Sequence, residues 1–432
     1  EVVIIDGTDV PSPEDIAMLQ ALYSRSPKSV LAHLDQVREK GADSFMSQYY
    51  VGYSHKSIGD CGTTSIFSEN VSMLAAKAIQ DNPLYNGQEA STRYLDMAGQ
   101  GLVDPVDSFE SGDILHEWMD LYGVVLERLT VEFATRFPRE EGQRKSVWRK
   151  AVKARAFDVA RGFLPAGVKT YVAWHTNLRQ AADHLKILRH SPLEEIRALG
   201  EQITAELVGR YPSSFGHKRY PEQEAYLSLS QREFAYSDRR LEPFRWKLRM
   251  DREALSEHAH LLKSRPPKTE LHQRFRQFGT IEFRFPLDFG SYRDLQRHRS
   301  CVQEMPLLTT KHGIHEWYLT QMPDDLRRYV ESTVRALEPR IEALGVDAVD
   351  KQYYVAMGYN CAVKITCDLP SAIYIAELRS ASSVHPTLRT VAQQMGDRLA
   401  GLVPDMTMHH DKSEGVWDLK RGTQDIVEKV QS

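Results

Sequence analysis

Residues 86–94 read Asn86-Gly87-Gln88-Glu89-Ala90-Ser91-Thr92-Arg93-Tyr94, and residues 297–299 read Arg297-His298-Arg299. Glu89, Ser91 and Arg93 alternate, so an extended segment presents all three on one face. A hydroxyl beside a guanidinium makes an anion clamp, because arginine offers a planar fork of donors that matches phosphate or carboxylate. Glu89 only accepts hydrogen bonds, which suits sugar hydroxyls or a nearby cation. The Arg-His-Arg triplet concentrates positive charge after a helical run from Ser291 to Gln296, an arrangement suited to a diphosphate. Either stretch alone reads equally well as a solvated surface.

The chain has 432 residues, 41% hydrophobic and 26% charged, which suggests roughly three domains on length alone, or two large ones, with ample core. A net charge of −4 argues against a general polyanion binder, and so against nucleic acid as a partner, despite a basic stretch at 238–249. No apolar run reaches membrane-spanning length, and no leader of charged, apolar and small residues opens the sequence, so no membrane partner is expected. Cys61, Cys301, Cys361 and Cys367 form no C-x-x-C pair. Reduced thiols in a cytoplasmic protein are the expectation, with Cys361 and Cys367 in the core. No metal site is expected, because His409-His410 lacks partners at ligand spacing.

Val2–Ile5 is a β-branched run that reads as an edge strand. Ser12-Pro13 opens a helix to about Tyr23, and Ser26-Pro27 precedes an apolar stripe over Val30–Val37 that ends at Gly41. Long helices are expected over 112–136, from Val147 to Phe163, and from Val168 to Leu188. Thr280–Phe285 alternates as a half-buried strand should. The Arg-rich segment near 220–275, with Pro266-Pro267, is the best domain boundary.

Together the two opening stretches resemble the ends of R-H-R-x-x-S-x-N-E-x-S-x-R-Y, the signature of the flavin-dependent thymidylate synthase (ThyX) family. Counted back from Tyr94, that motif begins at Asp81, where Asp81-Asn82-Pro83 stands in place of Arg-His-Arg. Counted forward from Arg297, it ends at Leu307-Leu308-Thr309-Thr310 in place of Ser-x-Arg-Tyr. Each stretch keeps the half that the other lacks. The starting points, 81 and 297, lie 216 apart, half of the 432 residues. Blocks 176–189 and 366–379 each end in Leu-Arg and each precede a helix, at an offset of 190. The resemblance implies an α+β fold of two tandem ThyX-like repeats, each a mostly antiparallel sheet packed with long helices. Residues 1–220 carry the Ser-x-Arg-Tyr half, 221–270 form a charged linker region, and 271–432 carry the Arg-His-Arg half.

The implied reaction is methylation at C5 of a uridylate, UMP or dUMP. Methylenetetrahydrofolate donates the carbon, FAD provides the hydride, and NADPH is its reductant. The resemblance places Arg297 at the nucleotide phosphate, Ser91 and Arg93 at phosphate and base, Glu89 near the ribose, and Arg189 at the uracil. Ser91, Arg93 and Arg189 form the catalytic set. Asn177, Arg179, Arg297, His298 and Arg299 would bind the flavin. The family's site forms between subunits of a homotetramer, so tandem repeats imply a homodimeric pseudo-tetramer, a homotetramer being the alternative. Related UMP methylases serve polyoxin-type nucleoside antibiotic pathways. The chain departs from the pattern at Gln88 and Asp183, where the family has asparagines. Asp60, and Thr280 in the second half, stand where a flavin-contacting histidine belongs, and Asp368 and Pro370 replace the Asn and Arg of the helix. These departures support an alternative, a non-catalytic flavin or nucleotide sensor.

Overall fold

The computed structural model describes residues 3, 5, 9–10, 12–52, 55–402 and 406–414; of the strand expected at Val2–Ile5, Val2 and Ile4 lie outside the described residues, and Val3 and Ile5 are not in a strand. The protein is α+β. Its strands are β1 (Thr63–Ser72), β2 (Asn86–Glu89), β3 (Lys169–Asn177), β4 (Arg245–Met250), β5 (Gly279–Asp288), β6 (Val302–Gln303) and β7 (Asn360–Asp368). They form a three-stranded sheet of order β1-β3-β2 and a four-stranded sheet of order β4-β5-β7-β6.

The two sheets repeat one plan. β5 and β6 begin 216 residues after β1 and β2, and β7 begins 191 after β3. Registers agree as well: Asn86 of β2 lies opposite His175, and Val302 of β6 lies opposite Thr366. Helices Leu178–Leu188 and Leu369–Arg379 follow β3 and β7 directly. Their N-caps are equivalent, because the Asn177 side chain accepts from the Gln180 N–H and Asp368 accepts from the Ser371 N–H, each at 2.8 Å. This register aligns Arg379 with Leu188, one residue away from the alignment of the two Leu-Arg pairs.

The caps at Ser12-Pro13 deliver a helix at Pro13–Tyr23, and Gly41, at φ 65°, ends the helix Val30–Lys40. The helix expected from Val168 to Leu188 is instead β3 followed by Leu178–Leu188. Burial alternates along Lys169–Asn177, with Thr170, Val172, Trp174 and Thr176 inside, a period-two pattern that fits a strand paired to β2.

By packing, the chain forms two compact units built from interleaved segments. The first comprises Glu1–Val71, Ala75–Glu89 and Thr170–Ala235, and the second Ser72–Leu74, Ala90–Lys169 and Tyr236–Ser432. In the first, Trp174 of β3 is buried and meets His184 edge-on at 5.4 Å, and Leu178, Leu185 and Leu188 line the buried side of their helix. In the second, Ile281, Phe283, Phe285 and Leu287 turn one face of β5 into the core. Cys361 and Cys367 lie on the buried face of β7.

Inside the second unit, segments 162–167 and 353–358 pair reciprocally. Gly358 N donates to Gly162 O at 2.7 Å and Gly167 N to Tyr353 O at 2.8 Å. Ala166 N donates to Val355 O at 3.0 Å and Met357 N to Leu164 O at 2.9 Å. Every partner is displaced by the same 191 residues, as a local two-fold axis requires. Glycine is needed for this approach: a Cβ on Gly358 would sit 2.6 Å from Gly162 O, and one on Gly167 2.9 Å from Tyr353 O.

Candidate functional site

The helix Phe289–Leu295 is N-capped by Asp288, and its C-cap is Gln296. It therefore delivers Arg297-His298-Arg299 on a turn, with Arg297 and Arg299 exposed and His298 buried. Asp294, in the last turn, is the focus of the second unit's charge. Burial opposes ionisation of its carboxyl, yet Arg161, Arg93, Arg297 and Arg379 together hold it well below the usual carboxylate range. Arg93 and Arg297, one from each half of the broken motif, thus act on the same carboxylate. Arg297 donates to no protein group among the described residues. The buried Gln296 amide beside it likewise lacks a hydrogen-bond partner among the described residues.

Arg379 organises the turn from behind. Its Nη2 donates to Asp294 O at 2.7 Å and its Nε to His298 Nε2 at 2.8 Å. Burial, reinforced by the Arg379 charge, brings the His298 pKa down to about 3. The ring is neutral, and because Nε2 accepts, its proton resides on Nδ1.

Arg93 is set by a carboxylate that sequence reading missed. The helix Lys145–Ala160 carries Asp158, fully buried, and the Arg93 fork meets it through Nε at 2.7 Å and Nη2 at 3.1 Å. Both Arg93 terminal nitrogens also reach the Ser383 carbonyl at 3.3 Å. Burial disfavours the Arg93 charge, but Asp158 more than compensates and raises its pKa. Behind this pair lies a buried polar network. His385 faces Asp158 O at 3.0 Å through Nε2 and Thr387 Oγ1 at 2.8 Å through Nδ1. Asp288 accepts from Thr387 Oγ1, from Ser291 N and from the Tyr318 hydroxyl, and Arg161 donates to Ser291 Oγ at 2.9 Å. Burial, helped by Arg161, lowers the His385 pKa to about 3.

The extended segment expected to show Glu89, Ser91 and Arg93 on one face ends early. β2 stops at Glu89, and Ser91–Leu95 is a turn in which Ser91 O accepts from Tyr94 N and Leu95 N. Ser91 Oγ accepts from Arg93 N at 3.4 Å, the local bond by which serine competes with a strand ladder. Glu89 belongs to the first unit and accepts from Gln80 Nε2 at 2.6 Å.

The remaining expected residues also lie in the first unit. Asn177 caps its helix. Arg179 gives Nε to Asp60 Oδ1 at 2.6 Å, so Asp60 engages one expected flavin contact directly. That hydrogen bond, working against burial, raises the Arg179 pKa. The Arg189 side chain is 8% exposed, with Glu201 at 4.0 Å and Glu224 at 3.7 Å, and its Nε has no hydrogen-bond partner among the described residues. Burial and Arg219 lower its pKa against the pull of both glutamates. Asp183 pairs with Lys186 at 3.1 Å. The basic stretch 238–249 enters β4, and Arg239, Arg240, Arg284 and Lys364 line a cavity of about 310 Å³ distinct from the Asp294 cluster.

The sequence is similar to that of known proteins. Residues 4–213 match the family described as thymidylate synthase complementing protein. Ser91, Arg93, Asn177, Arg179 and Arg189 fall inside that stretch. Relatives extend further along the chain. A UPF0159 protein of Chlamydia pneumoniae is 27% identical over 419 residues, covering 82% of this chain and 77% of its own. One from Chlamydia muridarum is 27% identical over 429 residues, covering 85% and 80%. One from Thermoplasma acidophilum is 25% identical over 471 residues, covering 91% and 94%. Similarity to the thymidylate synthase complementing family thus covers the half with Ser-x-Arg-Tyr, and the UPF0159 relatives align over most of the chain.

Proposed function

We propose that this chain is a flavin-dependent methylase acting at C5 of a uridylate, built from two tandem copies of one repeat. The supporting observation is the shared focus of Arg93 and Arg297 on Asp294, which unites the two motif halves within one compact unit. The recurring strand order, the matched caps and the 191-residue reciprocal bonds support the duplication.

The donor set suits a phosphorylated ligand. Four guanidiniums act on one carboxylate at Asp294, and among the described residues the Arg297 fork and the buried Gln296 amide have no hydrogen-bond partner. Leaving such an amide unpaired costs about 1–3 kcal/mol, which a bound ligand would recover. In this reading Arg297 binds the nucleotide phosphate. Ser91, whose oxygen accepts the Arg93 N–H, keeps its hydroxyl proton for the same anion. Arg93, locked by Asp158 and the Ser383 carbonyl, orients the base rather than moving with it. His298 offers Nδ1–H and Arg299 its charge to the flavin; for the first unit the proposal assigns Arg179 and Asn177 to the flavin, Glu89 to the ribose and Arg189 to the uracil. Bound reduced FAD supplies the hydride that completes the methyl group. Methylenetetrahydrofolate as carbon donor, NADPH as reductant and a homodimer with a single flavin per chain complete the proposal.

The test begins with the absorption spectrum of the protein loaded with FAD, followed by NADPH and by labelled methylenetetrahydrofolate with UMP and dUMP in competition. Label in the 5-methyl group of either nucleotide supports the reading, and the ratio identifies the preferred sugar. Transfer to neither overturns it. Arg93→Ala and Arg297→Ala should each weaken nucleotide binding by about 1.5–3 kcal/mol, the worth of a charge-assisted contact. The Asp60–Arg179 ion pair favours a second reading, a non-catalytic flavin or nucleotide sensor. Flavin binding without NADPH-dependent turnover would decide for that one.

A further inference from the structure

The turn that carries Arg297-His298-Arg299 ends in Cys301, where the chain joins β6. In the β6–β7 register Val302 lies opposite Thr366 and Gln303 opposite Ile365. Carried back one residue, the register sets Cys301 opposite Cys367. Directly opposed residues of an antiparallel pair have Cα atoms about 4.5 or 5.5 Å apart. Both values lie inside the span of about 4.4–6.8 Å that a disulfide bridges. The Cys301 thiol, together with burial, pushes the Cys367 thiol well above its ordinary pKa, as two side chains facing each other would. Both are free thiols. Cys367 is 1% exposed whereas Cys301 is partly exposed, so a small oxidant reaches Cys301 first. Cys361, six residues along β7, is about 20 Å from Cys367 at strand rise and cannot compete for it.

We propose that Cys301 and Cys367 form a reversible disulfide that staples the Arg297–Arg299 turn to β7. A hydroperoxide is the oxidant. The Cys301 thiolate attacks its terminal oxygen, an S–O bond forms as the O–O bond breaks, and water or an alcohol leaves. The Cys367 sulfur then attacks the resulting sulfenic acid. The S–S bond forms, the S–O bond breaks, and the departing hydroxide takes the Cys367 proton as water. Two electrons pass from the thiol pair to the peroxide, and a dithiol reductant returns them by exchange. The link joins β7 to a residue two positions beyond Arg299, whose backbone N–H already donates to His298 O at 3.4 Å. The oxidised protein therefore holds its exposed arginines on a cross-braced turn. This inference is independent of the methylase reading.

The experiment uses the full chain, reduced and then treated with an equivalent of hydrogen peroxide. Thiol titration should fall from four to two per chain. A non-reducing peptide map should show Cys301 joined to Cys367, and dithiothreitol should restore both. Cys301→Ser, at a partly exposed bend, should abolish the cross-link, and Cys367→Ser should leave Cys301 as a sulfenic acid captured by dimedone. Trypsin cleavage after Arg297 and Arg299 should slow in the oxidised wild type and recover on reduction. Cys301 found unreacted, over-oxidised to sulfinic acid or joined to another cysteine would overturn the proposal. Unchanged tryptic cleavage of a protein shown to be cross-linked would overturn the stapling.

Discussion

Arg93 grips Asp158 through both edges of its fork, at 2.7 and 3.1 Å, with the carboxylate fully buried and the arginine side chain 13% exposed. An arginine this enclosed depends on its partner, because removing one member of a buried pair strands the other charge. Asp158→Asn keeps the volume and deletes the charge. The expected result is a loss of about 3–5 kcal/mol in urea unfolding. Weaker nucleotide binding should accompany it, since Arg93 loses its fixed orientation. A variant as stable as the wild type would show that the pair contributes nothing net.

Three buried histidines give the fold a specific acid sensitivity. His298 and His385 are held down to about 3, by burial with Arg379 and by burial with Arg161 respectively. His184 is held to about 4 by burial, against backbone acceptors at Ala78 and Ile79. The unfolded chain protonates these rings near pH 6.5 while the native state refuses the proton, so the unfolded state gains as pH falls. Each ring removes up to about 1.4 kcal/mol per pH unit between roughly 6.5 and its folded value. Asp288 and Asp294, held below the usual carboxylate range, add to this loss only below their unfolded pKa of about 3.9, where the unfolded chain takes up protons that the fold refuses. Urea midpoints measured at pH 7, 6 and 5 should fall steadily. Equal midpoints at pH 7 and 5 would contradict the assignment.

What the sequence revealed, and what it hid, follows from the range of the forces involved. Local signals were legible: Ser12-Pro13 fixed a helix start, Gly41 a helix end, and the alternation of Ile281, Phe283 and Phe285 a strand. β3 reads as helix because its apolar residues run on without a turn signal into Leu178–Leu188, although Thr170, Tyr171, Val172, Trp174 and Thr176 are residues that strands favour; its partner β2, Asn86-Gly87-Gln88-Glu89, carries none of them. Only the register with His175 to Val172 explains why that segment is extended. Arg93 and Arg297 were visible through their motif. Asp158, Asp294 and His385 were not, because a buried carboxylate or imidazole declares its role only through partners far along the chain. No spacing rule links Arg93 to a carboxylate 65 residues away.

Asp60 and Arg179 each keep about a third of their side chain exposed. A pair so open to solvent contributes at most about 1 kcal/mol to stability. Asp60→Asn should therefore leave the unfolding midpoint almost unchanged while releasing the Arg179 fork. If Arg179 serves the flavin, FAD affinity should rise in that variant, measured by fluorescence quenching on titration. FAD affinity that stays the same or falls would remove Arg179 from the cofactor site.

The reciprocal pairing of 162–167 with 353–358 makes the sharpest packing prediction. A methyl group at Gly358 would press on the Gly162 carbonyl at 2.6 Å, and one at Gly167 on the Val103 carbonyl at 2.7 Å, backbone atoms with no rotamer to yield. Gly358→Ala and Gly167→Ala should each cost about 1–3 kcal/mol or more, the range for forcing extra volume into a packed interior. Gly123, inside the helix Phe109–Arg136, has nothing within 4 Å of its would-be Cβ. Gly123→Ala should therefore stabilise by about 0.5–1 kcal/mol, through helix propensity and a less flexible unfolded chain. Opposite signs in paired urea titrations are the expected outcome. A neutral Gly358→Ala would mean that the two segments can separate at little cost.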